Sequence, residues 1–142
     1  MNLRFLLDTN IISEPRKRNP NAAVLAKLKQ YDGAVGIASV VWHEVWFGCR
    51  RLPQSHRRRE IEGYLINVIL PTMPILPYDA EGAKWHASER VRLSSIGQSP
   101  SFVDGQIAAV ASTNNLILVT RNITDFENFA DLSLENWYDD RT

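Results

Sequence analysis

The run Leu3-Arg4-Phe5-Leu6-Leu7-Asp8 decides the fold. Its apolar residues are too few and too tightly spaced for one face of a helix, and they stop abruptly at a carboxylate. Such a run reads as a short buried strand. Thr9 and Asn10 suit a turn or cap, and Ile11 to Glu14 can form one helical turn before Pro15 stops it. The next stretch, Arg16-Lys17-Arg18-Asn19-Pro20, reads as an exposed loop.

Working outward, the same alternation continues. Asn21 is placed to cap a helix through Tyr31, with Val24, Leu25, Leu28 and Tyr31 on one face and Gly33 ending it. Ala34 to Ile37 predicts a second strand. Ser39 is expected to cap a helix from Val40 to about Arg51, which Pro53 separates from a longer helix, Ser55 to Leu70, striped by Ile61, Leu65, Val68 and Ile69. Ile75-Leu76, set between Pro74 and Pro77, predicts a third strand near an edge. Asp79 and Ser101 are expected to cap helices reaching Ser95 and Thr113. Leu116 to Thr120 is the clearest strand, Thr124 to Phe129 a short helix, and Leu132 to Leu134 a last edge strand. Strands alternating with helices predict an α/β fold, helices packed around a central parallel sheet. With no repeat, linker or low-complexity segment, one domain is expected over 1–142.

Composition narrows the class. A chain of 142 residues can bury one core. Its lone cysteine, Cys49, allows no intramolecular disulfide, which fits a reducing cytoplasm, and it reads as a small packed hydrophobe. No stretch approaches the ~20 apolar residues of a membrane span, and Met1 to Leu7 is too short for a signal peptide. The formal net charge of zero argues against a generic, strongly basic nucleic-acid binder. Yet residues 1–60 hold 11 Lys/Arg against 5 Asp/Glu, and residues 61–142 the reverse. Either a local basic surface results, or folding mixes the halves.

Four carboxylates stand where function would use them. Asp8 comes directly after the first strand, and in open α/β sheets functional groups gather at the carboxyl ends of strands; alone, it reads equally as a cap. Glu44 lies in Val40-Val41-Trp42-His43-Glu44-Val45-Trp46-Phe47, apolar almost all round and so expected to be buried. A carboxylate there needs a cation, a metal or a hydrogen-bonding partner. Asp104 ends Ser101-Phe102-Val103-Asp104, which also reads as a capping box. Asn122 and Asp125 lie just past the strand ending at Thr120. Oxygen donors without a His/Cys set are what Mg²⁺ or Mn²⁺ prefers. Two carboxylates about 4.5 Å apart repel by about 4 kcal/mol at an effective dielectric of about 20, so the cluster calls for a cation or a shared proton.

At full length the motifs resemble one family. Leu6 to Pro15, with Asp8-Thr9-Asn10 at its heart, is similar to the opening of PIN-domain toxins of the VapC and FitB type. Ser39 to Gly48 resembles their second block, in which a Glu precedes a Gly by four. Asp104 to Ala111 resembles the third, Thr120 to Phe126 the fourth, and Trp137 the usual close. The resemblance implies a PIN-like α/β/α sandwich and an acidic pocket of Asp8, Glu44 and Asp104. The fourth acid is either Asp125 or, by position, the site of Asn122, with Thr9, Asn10, Thr120 and Asn122 lining the pocket. It implies a Mg²⁺-dependent single-strand endoribonuclease with Mn²⁺ as a possible substitute, a cognate VapB- or FitA-like antitoxin, and a structured RNA such as tRNA as substrate. Asp8 and Asp104, with Glu44, would hold the metal, which activates a water for in-line attack on phosphorus, and Glu44 would orient that water or act as general base. One metal or two would serve. Arg16, Lys17 and Arg18 are candidates for RNA contacts, and the apolar helix around Trp42 and Trp46 for a homodimer face. Two other readings stay open. One is a phosphatase with Asp8 as nucleophile, although Asn10 stands where that chemistry commonly wants a second Asp. The other is a non-catalytic nucleic-acid-binding module of the same fold.

Overall fold

A computed structural model describes residues 2–138; Met1 and 139–142, the ends of the expected domain, lie outside the described residues. Five strands form one sheet: β1 (Phe5–Leu7), β2 (Val35–Ala38), β3 (Ile75–Leu76), β4 (Ile117–Val119) and β5 (Leu134–Glu135), in the order β3-β2-β1-β4-β5, every pair parallel. Phe5, Leu6 and Leu7 are all buried, as are Val35 to Ala38, so these strands have protein on both faces, as parallel sheets require. The helices are α1 (Thr9–Ser13), α2 (Ala22–Gln30), α3 (Ser39–Arg50), α4 (His56–Tyr64), α5 (Leu70–Thr72), α6 (Ala80–Ser95) and α7 (Phe102–Thr113). The expected α/β architecture with a central parallel sheet is borne out.

Strand order places the site. From central β1 the chain moves to one side, through β2 and β3, then returns to the other side as β4 and β5. The reversal leaves a crevice between the carboxyl ends of β1 and β4, where ligands of open α/β sheets bind. Asp8 lies directly after β1 and Thr120 directly after β4.

Caps and core agree with the local sequence in most places. The side chains of Asn21, Ser55, Asp79 and Ser101 accept hydrogen bonds from first-turn amides of α2, α4, α6 and α7. Trp137 packs edge-on against Phe5, ring centroids 5.1 Å apart, and stacks on Tyr31 at 5.8 Å. Buried Glu89 accepts from both Arg92 and the Ala130 amide, tying the 126–131 loop to α6.

Four local expectations change. Ser39 is the first residue of α3, not its cap: Ala38 takes that place, and no side chain caps the helix. The expected 55–70 helix breaks phase after Tyr64, where Leu65–Ile69 form a π turn. One extra residue per turn rotates the stripe, so Leu65 and Ile69 are buried while Val68 is half-exposed. Thr124 to Phe129 is not a helix but a single 3₁₀ turn, Ile123–Asp125. Finally, α3 is not buried all round: only Val41 and Cys49 are, and Glu44 is exposed. Trp42 and Trp46 pack edge-to-face at 5.8 Å and lean on the core, so the surplus apolar surface of α3 is Phe47, 60% exposed. No helix among the described residues is long and apolar enough to cross a membrane.

Candidate active site at the carboxyl ends of the strands

Asp8 is the best-defined residue of the site. Its backbone amide donates to the Val119 carbonyl at 2.9 Å, extending the β1–β4 ladder by one rung. Its Oδ1 accepts from the Thr9 amide at 2.8 Å, so Asp8 does cap α1. Its Oδ2 accepts from the Thr120 hydroxyl, also at 2.8 Å, across the crevice. Thr120 is fully buried, and its Oγ1 in turn accepts from the Asn122 amide at 3.0 Å. That second bond leaves the hydroxyl proton for Asp8. Thr120, expected as a lining residue, is therefore an orienting one.

The other acids come from three further elements. Glu44 stands on the second turn of α3, which springs directly from β2. Asp104 is on the first turn of α7, its amide bound to Ser101 Oγ at 3.1 Å. Asp125 ends the 3₁₀ turn after β4. Burial pushes the Asp8 carboxyl up, more than its two hydrogen bonds pull it down, and the Asp125 charge adds to the rise. Partial desolvation raises Glu44, and the charges of Asp8 and Asp104 raise it further, while the Thr9 hydroxyl lowers it. Asp104 rises by desolvation and through Asp125 and Asp8. The carboxylates expected from the sequence thus lie within reach of one another's charge: Asp125 acts on Asp8 and Asp104, and Asp8 and Asp104 act on Glu44. The burial expected of Glu44 is not found: Glu44 is open to solvent, and like-charged neighbours join partial desolvation in disfavouring its charge.

Asp125 and Asn122, the two candidates for the fourth position, stand differently toward the other acids. The Asp125 charge reaches both Asp8 and Asp104, whereas exposed Asn122 contributes its backbone amide to Thr120. The cluster is open: among the described residues no three His, Cys, Asp or Glu side chains are drawn together as a ready-made metal cage. The donor set nonetheless suits a hard cation. It is all oxygen, its carboxylates resist ionising together, and the buried Asn10 Oδ1, two residues after Asp8, has no hydrogen-bond partner among the described residues.

A groove of about 790 Å³ opens beside the acids, with Thr9 and Glu44 on its wall. Arg16, Lys17 and Arg18 all line it. Arg16 pairs with Glu60 at 3.5 Å and lies over the Tyr64 ring, and Lys17 pairs with buried Glu14 at 3.0 Å. The charge asymmetry of the sequence therefore survives folding as a basic wall, to which Arg51 and Arg57 also belong. Phe47 and Gly48, also on the wall, were not singled out as site residues. The signal was available: they come three and four residues after Glu44, the spacing of one helix face.

The raised carboxyls predict an unusual pH response. An acid whose folded pKa exceeds its unfolded value costs no stability below the unfolded pKa and its full penalty above the folded one. Asp8, Glu44 and Asp104 are of this kind. Glu14 and Glu89 are lowered, and their contribution is lost only as pH falls below the ordinary Glu value through their folded pKa. In EDTA the melting temperature should therefore rise as pH falls through the raised carboxyl range toward the ordinary Asp and Glu values, and added Mg²⁺ should flatten that slope by stabilising the neutral-pH form. Melting curves with the same slope in both conditions would mean the cluster binds no cation.

Known proteins place this geometry. The family model of the PIN domain matches residues 5–132. The toxin FitB of Neisseria gonorrhoeae is 33% identical over 139 residues, covering 95% of this chain and 99% of that protein. The tRNA(fMet)-specific endonuclease VapC of Shigella flexneri is 32% identical over 136 residues, covering 95% and 98%. The crystal structure of FitAcB from Neisseria gonorrhoeae superposes with a TM-score of 0.86 at 32% identity, covering 93% of this chain and 96% of that one. With its four acids set around the β1–β4 crevice and with likeness over nearly its whole length, the chain belongs to the PIN domain family, among the VapC ribonucleases and FitB toxins.

Proposed function

We propose that this chain is a divalent-metal-dependent endoribonuclease that cuts single-stranded positions of structured RNA, and that it is the toxin of a toxin–antitoxin pair in the cytoplasm. The observation that carries the reading is the Asp8–Thr120 bond across the β1–β4 crevice with Glu44, Asp104 and Asp125 around it. Residues 1–142 act as one catalytic unit.

Asp8, Asp104 and Glu44 would hold Mg²⁺, with Mn²⁺ as substitute. When bound, the ion supplies Lewis acidity, making a water nucleophilic near neutral pH and offsetting charge on the phosphoryl oxygens. The chain's own groups do the rest. Thr120 and the Thr9 amide fix the Asp8 carboxylate, so no reorganisation is needed when charge develops. Glu44, solvent-open with a raised pKa, can take the proton of the attacking water. Asp125 holds negative charge at the rim, and Thr9 and Asn10 offer neutral oxygens to water. Arg16, Lys17 and Arg18 hold the backbone that the acids would otherwise repel. The tRNA specificity carried in the name of the Shigella relative supports tRNA as the substrate.

The toxin name of the Neisseria relative supports a cognate antitoxin of the VapB or FitA kind. An Arg from it would match the paired carboxylates bidentately and compete with the cation. The homodimer expected on the Trp42 and Trp46 face of α3 has less free surface there than expected, because both rings pack against the core; exposed Val91, Ile96, Phe102 and Val103, near where α6 ends and α7 begins, offer apolar surface for it instead.

The purified chain should cut a labelled hairpin RNA in its loop with Mg²⁺, stop in EDTA, and release no phosphate from a small aryl ester. Cleavage indifferent to EDTA, or ester hydrolysis with RNA intact, would sink this reading.

A further inference from the structure

Gly48 has no reason to be glycine within the chain itself. It lies inside α3, where glycine is less favourable than alanine by roughly 1 kcal/mol, and a Cβ built there would meet nothing within 4 Å. Its φ is not in the left-handed region that would demand glycine. The vacancy faces the groove, since Gly48 lines it together with Glu44, one turn earlier. Next to it, Phe47 presents a ring that is 60% exposed, with the Arg51 guanidinium 5.7 Å from the ring centroid. The groove also carries Arg18 and Arg57. Among the described residues, none of Arg18, Arg51 and Arg57 has a carboxylate at ion-pair distance.

We propose that this groove is the track of a single-stranded RNA segment, in which Gly48 leaves room for the sugar-phosphate backbone against α3 and the Phe47–Arg51 pair stacks an unpaired base. Arg18 and Arg57 take its phosphates. The inference rests on the ribonuclease reading and gives it a binding register. Phe47 stands just under one helical turn beyond Glu44, about 4.5 Å along the axis, or one to two nucleotides at the roughly 3.4 Å rise of a stacked strand. An exposed aromatic ring beside unpaired guanidiniums is the combination that single strands select: each base offers a face to stack, and each phosphate a charge to neutralise. A duplex, whose bases are already stacked, cannot use the ring. The platform therefore makes the enzyme choose loops over stems.

The test measures binding of a short fluorescein-labelled single-stranded oligoribonucleotide in EDTA, beside the same strand annealed into a duplex, and single-turnover cleavage in Mg²⁺. Phe47→Leu should weaken single-strand binding about 5- to 150-fold, the measured worth of one stacked base, and leave duplex binding unchanged. Phe47→Trp should restore it. Gly48→Leu should raise the melting temperature, as helix propensity requires, while weakening single-strand binding and slowing cleavage. If wild type cleaves RNA and both Phe47→Leu and Gly48→Leu bind and cleave like it, the track is elsewhere and only this proposal falls. If the variants lose nothing but the capture of a co-expressed antitoxin, the groove is a protein-docking surface and the proposal is overturned. Wild type that neither binds nor cuts RNA would remove the ribonuclease reading with it.

Discussion

Asp8→Asn should abolish RNA cleavage, by at least about 10³-fold, the scale on which single essential catalytic groups are felt, and leave the protein folded. Two facts make this the largest functional effect expected of any substitution. Asp8 stands at the point where the strand order reverses, and it is the one acid of the four held by hydrogen bonds at both carboxylate oxygens. The amide keeps the cap on α1, because its oxygen can still accept from the Thr9 amide. Thr120 Oγ1 can then accept from the new NH₂ as it already accepts from Asn122. What disappears is a buried negative charge whose pKa burial and Asp125 push up. In EDTA at pH 8 the variant should therefore melt at or above the wild-type temperature, and the difference should vanish once pH falls below the ordinary Asp value, where the wild-type carboxyl is neutral in folded and unfolded chain alike. A large loss of stability at neutral pH would mean that Asp8 is chiefly structural.

Gly105→Ala should destabilise the fold by about 2–3 kcal/mol, the upper range for overpacking, lowering the melting temperature by roughly 6–10 °C for a chain of this size. Gly105 is next to Asp104 on the first turn of α7, and a Cβ there would lie 2.1 Å from Nε2 of His86 and 2.6 Å from its Cδ2. The ring has nowhere to retreat. His86 is 2% exposed, its Nδ1 is 2.9 Å from the Tyr78 hydroxyl, and the Phe102 ring lies 4.8 Å away. The imidazole sets how closely α6 and α7 approach, and through that the position of Asp104. Activity should fall with stability. The double variant Gly105→Ala with His86→Ala should regain most of the lost stability, because the methyl then fits the space left by the ring. A Gly105→Ala protein that melts like wild type would show that the helices are free to part.

Much of this was legible in the residues, for identifiable physical reasons. Short apolar runs ending at Asp8 and Thr120 announce buried strands with polar groups at their ends, because a parallel sheet buries both faces and leaves chemistry for its carboxyl ends. Caps such as Asn21, Asp79 and Ser101 declare helix starts because their side chains satisfy first-turn amides locally. The acids could be grouped because all four lie just past strands or on early helix turns. Other features depend on contacts that spacing does not encode. The π turn at Leu65–Ile69 breaks a stripe that the sequence writes as regular. The apolar appearance of α3 suggested burial, yet it belongs to a helix with one face on the core and another, bearing Phe47, on a groove. Nor does His86 advertise its role, which exists only because Gly105 lies opposite it.

The central claim is that the four carboxylates around the β1–β4 crevice form a metal-dependent site that cuts RNA at single-stranded positions. Sequencing the ends produced when total RNA is digested with the purified chain in Mg²⁺, beside Asp8→Asn and EDTA controls, tests it most directly. The account predicts cuts confined to unpaired positions, clustered in one loop of a few tRNAs, and absent from both controls. Identical cuts in the Asp8→Asn or EDTA samples, or untouched RNA from a preparation that cleaves duplex DNA, would contradict it.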